Sequence, residues 1–156
     1  MAKARRVRID PDAPFAAAAS ETLKIRGPEL LEFKEGTLDG SDIEQLHSMR
    51  VASRRLRAAL EVYAGCFPHQ RHQRLLRLVK ETADALSAAR DLDVQIDYLN
   101  GYRAHVPAAD RAGVDSLIEL LRAQRSEADA HLAPALARLD DLDFAGQVAG
   151  LVAPAP

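Results

Sequence analysis

The chain has 156 residues and a net charge of −2, long enough for one domain with its own hydrophobic core and no need of disulfides or a structural metal. Ala, Leu and Arg dominate, while Trp is absent and only three Tyr and four Phe occur, a balance that favours helices and leaves no strand-type alternation. Cys66 is the single cysteine, which excludes an internal disulfide or thiolate cluster; no apolar run nears the roughly 20 residues of a membrane span and no signal core is present, so a cytoplasmic protein without membrane attachment is expected.

In chain order, residues 1–11 are polar and contain proline, and read as a flexible lead; residues 12–151 read as one helical bundle and 152–156 as a flexible tail. A first helix is expected from about Pro14 to Glu35 with a break at Gly27-Pro28, where proline disfavours helix at the residue before it. "EGTLDGSD" reads as a linker. Ser41 followed by Glu44 reads as a capping box, starting a second helix near Asp42 that ends before Pro68. A third helix is expected from about Gln70 to Tyr102 and a fourth from about Ala108 to Leu139, bent near Pro134. A short helix in "FAGQVAGLV" completes an all-α, antiparallel bundle of about four long helices.

The charge is unevenly spread. From His47 to Arg90 there are nine Lys or Arg against Glu61, Glu81 and Asp84, while the remaining residues hold twelve bases and twenty acids. Local charge therefore points to an anionic partner despite the acidic total. On the second helix, at about 100° per residue, His47, Arg50, Arg54 and Arg57 share an arc of roughly 80°. Met49, Ala52, Leu56, Leu60 and Tyr63 centre on the opposite side. Between His47 and Tyr63 the only acid is Glu61. Arg71, Arg74, Arg77 and Lys80 extend the basic theme along the third helix.

Arg90 breaks the pattern by falling on the apolar stripe with Val79, Ala83 and Leu86, followed there by Asp93 and Asp97. Arg125 falls on the stripe of Val114, Leu121 and Leu132. A buried arginine needs a carboxylate, a ligand anion or a wet cavity, so Arg90 is read either as a pair with Asp93 or Asp97 or as a ligand contact. For the arc of Arg50, Arg54 and Arg57 the plain alternative is a solvated face, and for His47 an exposed histidine of no consequence.

The other chemistry is thin. His69 and His72 form an H-x-x-H pair without a third ligand, and Asp91, Asp93 and Asp97 stand beside an arginine that would pair with them, so no metal site and no cofactor are expected. There is no Gly-rich phosphate loop, G-x-S-x-G or H-E-x-x-H, and Cys66 reads as a packed thiol. Nucleic acid is disfavoured by the lack of stacking aromatics. A polymer of phosphates without bases asks for the residue types seen here.

"LHSMRVASRRLRAAL" and "LSAARDLDVQIDYL" resemble, in order and separation, the two signature helices of the CHAD domain, the conserved histidine α-helical domain. The resemblance implies a non-catalytic protein that binds inorganic polyphosphate, in the cytoplasm and at polyphosphate granules. It carries ligand roles to His47, Arg50, Arg54, Arg57 and Arg90, less distinctively to Arg74 and Lys80, and on a later helix to Arg125. Asp91 and Asp93 match acids expected to be structural partners of arginine. A usual CHAD domain has two similar helical halves; this chain carries one signature set, equivalent to one half, so a homodimer is expected to rebuild the cavity. Two alternatives remain open: a phosphotransfer bundle in which His47 is phosphorylated, and a scaffold whose basic face docks an acidic protein.

Overall fold

A computed structural model describes residues 4–153; the ends of the expected lead and tail, residues 1–3 and 154–156, lie outside the described residues. Among the described residues six α-helices follow one another: α1 Phe15–Glu32, α2 Lys34–Asp39, α3 Ile43–Val62, α4 His69–Arg103, α5 Arg111–Asp141 and α6 Phe144–Val152. Helix α1 packs on α3, α3 on α4 and α4 on α5, and α6 turns back across α1, α4 and α5 to close one end. The result is the all-α bundle expected from periodicity, four long helices and the short C-terminal one, with α2 added. Among the described residues no helix is long and apolar enough to cross a membrane.

The core is built from the stripes that spacing identifies. Leu23 and Leu30 of α1, Met49, Leu56 and Leu60 of α3, Leu75, Val79 and Leu86 of α4, Leu136 and Leu139 of α5 and Phe144 of α6 are essentially inaccessible. Each buried leucine contributes about 1.5–3 kcal/mol through apolar area removed from water.

Three local expectations are corrected. Helix α1 runs through Gly27-Pro28 without a break. Lys24 and Pro28 lie on the exposed side, where water can serve the carbonyl that proline leaves without a donor, and Leu23 and Leu30 anchor both flanks in the core. Gly27 lets α6 approach, since a Cβ there would come within 2.8 Å of Val148 Cγ1. Most of the expected linker is helix α2, closed by Gly40 in the left-handed region at φ 71°. Ser41 is not the cap of α3: its hydroxyl donates to Asp39, and the Asp42 carboxylate accepts the Glu44 N–H at 2.9 Å.

Helix α5 stays continuous through Pro134. Helix α6 is capped by Asp143, φ 48°, whose carboxylate accepts the Gly146 N–H at 3.1 Å. The lead is tied to α1 at Arg5, whose backbone N–H donates to Glu29 and whose guanidinium meets Glu32 at 2.8 Å. Glu29 is buried and also accepts from Arg26 at 2.6 Å.

Candidate functional site

Helices α3 and α4 lie antiparallel, and three contacts fix their register. Arg50 Nε donates to Ser87 Oγ at 3.3 Å. Toward the other end of α3, Glu61 Oε1 receives Arg57 Nε at 3.0 Å and lies 3.4 Å from Lys80 Nζ. Beyond that, the buried His72 uses Nε2 to hold the Leu60 carbonyl at 2.8 Å. This occupies one histidine of the H-x-x-H pair in helix packing, while His69 is exposed. Among the described residues no three His, Cys, Asp or Glu side chains are grouped to hold a metal.

The cationic arc of α3 therefore forms one edge of the α3–α4 seam. His47, Arg50 and Arg57 are half-buried and Arg54 is exposed. His47 and Arg57 are ten residues apart, about 15 Å along the axis at the α-helical rise. His47 Nδ1 is sheltered from solvent without a hydrogen-bond partner among the described residues. Lys80 adds its charge from α4. Glu61 is the counter-ion of this edge: the Arg57 guanidinium first, and then the Lys80 ammonium, hold its carboxyl below the usual range. Arg54 makes no ion pair among the described residues, so part of the edge's charge is uncompensated.

The remaining predicted residues are distributed differently. Arg90 is half-buried but does not pair with Asp93 or Asp97; among the described residues it makes no ion pair. Asp93 instead accepts from Arg125 Nε at 2.7 Å, across from α4 to α5, and its second oxygen is buried with no donor among the described residues. Arg125 also meets Asp129. Burial opposes its charge, but the Asp129 and Asp93 carboxylates prevail and hold the guanidinium above its ordinary value. Arg125 is thus neutralised between α4 and α5 and does not join the α3 edge. Asp93 is the structural partner of an arginine, Arg125 in place of Arg90. Asp91 is exposed and unpaired among the described residues.

Arg74 is also not brought to the α3 edge. It stands six residues before Lys80, about 240° around α4, and faces α5 and α6. Ser87 was not foreseen. It follows Lys80 by seven residues, a spacing that sets it on the same edge of α4 and could have identified it.

The family model of the CHAD domain matches residues 27–156. The chain belongs to the CHAD domain family. No curated protein matches it. The first CHAD signature occupies α3 and the second occupies α4, so the arc of His47, Arg50, Arg54 and Arg57 and the lone Arg90 both lie within the matched region. CHAD domains are in general binding domains associated with polyphosphate.

Proposed function

We propose that this protein is a non-catalytic inorganic polyphosphate-binding protein that grips the polymer along the α3–α4 seam. The observation that carries this reading is the seam itself, where His47, Arg50, Arg54, Arg57 and Lys80 line one edge and Glu61 is the carboxylate that pairs with Arg57 and Lys80. Arginine forks suit phosphoryl oxygens, and Ser87 holds Arg50 ready for them. A phosphate chain would displace Glu61 from Arg57 and Lys80 and engage Arg54, which has no partner to lose. Arg90 is the natural extension of the seam, being half-buried with no ion pair among the described residues.

Assembly as a homodimer and recruitment to polyphosphate granules are part of the same proposal. The C-terminal half of α4 leaves Val94, Tyr98 and Tyr102 exposed at 48%, 68% and 50%, an apolar stripe suited to a second copy.

The test is calorimetric titration with long-chain polyphosphate at two salt concentrations, for wild type and Arg50→Ala/Arg54→Ala. Binding should weaken with salt as counterions are released, and the variant should lose about tenfold to hundredfold in affinity. Salt-independent binding, or unchanged affinity in the variant, would sink the proposal. Competition by acidic peptides at equal strength would favour the docking reading, and acid-labile phosphate on His47 after kinase treatment the phosphotransfer one.

A further inference from the structure

Around α4 from the seam, toward α5 and α6, lies a second charged surface. Arg71, Arg74 and Arg77, spaced by three residues, line a cleft of about 890 Å³ walled by the end of α5 and by α6. All three are exposed, and none makes an ion pair or hydrogen bond among the described residues. Both acids of the cleft are already engaged. Glu81 receives Arg138 at 2.8 Å, and the Asp143 carboxylate caps α6 by accepting the Gly146 N–H. Three guanidiniums thus stand along one wall without an ion-pair partner among the described residues, against a single cleft carboxylate outside an ion pair, Asp143; the excess positive charge repels itself and is relieved by a multiply charged ligand.

The cleft also has room for one. Its α6 wall presents Gly150 as open backbone, while the Asp143 carboxylate lies over Gly146 one turn earlier. A Cβ at Gly150 would meet nothing within 4 Å. The size is that of an ordinary small-molecule site. Successive arginines at this spacing rise about 4.5 Å along the helix, which suits charges distributed along a short phosphoryl chain better than one carboxylate. No aromatic side chain lines the cleft to stack a base.

We infer that this cleft is a second anion site, separate from the α3–α4 seam, that takes a short chain of two or three phosphoryl groups. The inference does not depend on how the seam is used. The phosphoryl chain could arrive as inorganic triphosphate or as the tail of a nucleotide, and the cleft reads only the chain.

Calorimetric titration of the full chain with inorganic triphosphate and, separately, with ATP tests this. Arg74→Gln/Arg77→Gln removes both charges and keeps polar side chains at exposed positions, so its unfolding midpoint should match wild type. It should weaken triphosphate binding by at least about tenfold, and by more than Arg50→Ala/Arg54→Ala does. ATP should bind within a few-fold of triphosphate. The site is refuted if wild type binds no triphosphate, or if the seam variant abolishes binding and the cleft variant retains it. Far tighter binding of ATP would refute a site that reads phosphoryl groups alone. Long-chain polyphosphate affinity, measured on the same two variants, reports separately on the seam.

Discussion

Glu61 is the residue on which the seam turns, because one carboxylate serves both Arg57 and Lys80. If a polyanion competes for those cations, Glu61→Gln should raise polyphosphate affinity by about threefold to tenfold, measured by calorimetry at constant salt. The same residue sets a pH dependence. Its folded carboxyl titrates below its ordinary value of 4.5, so its contribution to stability is complete above that value and is lost as pH falls through the folded one. Urea midpoints of wild type and Glu61→Gln should therefore converge as the medium is acidified below 4.5. At this scale the sequence was informative where one helix sufficed: the arc of His47, Arg50, Arg54 and Arg57 follows from rotation per residue alone. It misled where the outcome depended on a neighbour. Arg90 and Arg125 both lay on apolar stripes, yet Asp93 chose Arg125, a preference set by the crossing of α4 and α5 that no single-helix projection contains.

The elements tell a similar story. Long amphipathic stripes bounded α3 and α4 closely, because Leu46 to Leu60 and Leu75 to Leu86 repeat at helical spacing and the turn at Pro68 separates them. Short-range signals were less decisive. Pro28 was read as a break, but burial of Leu23 and Leu30 on either side outweighs one missing hydrogen bond. Ser41 and Asp42 are both good caps, and the choice fell to Asp42 because Ser41 was drawn to Asp39. Asp42→Ala should accordingly cost about 1 kcal/mol of stability, and Ser41→Ala much less, by urea denaturation. Equal losses would show that the N-terminus of α3 is capped in another way.

For the molecule as a whole, α4 is the common wall. At 35 residues it is far longer than the 20 residues of α3, so its C-terminal part continues beyond the helix whose cationic arc it helps to frame. Sedimentation should show a dimer that Tyr98→Asp converts to monomer, with circular dichroism unchanged because Tyr98 is exposed. A monomeric wild type would remove the dimer from the proposal and leave the seam intact. The two edges of α4 have a further consequence. Lys80 faces the seam while Arg71, Arg74 and Arg77 face away from it, so cations project in more than one direction from a single rod. A flexible polymer of like charges can then touch several protein copies, and each copy can touch more than one strand. Such valency makes a network: light scattering should peak near charge balance with long chains, collapse when polymer is in excess, and stay flat with triphosphate. The protein would in that case condense polyphosphate as well as bind it.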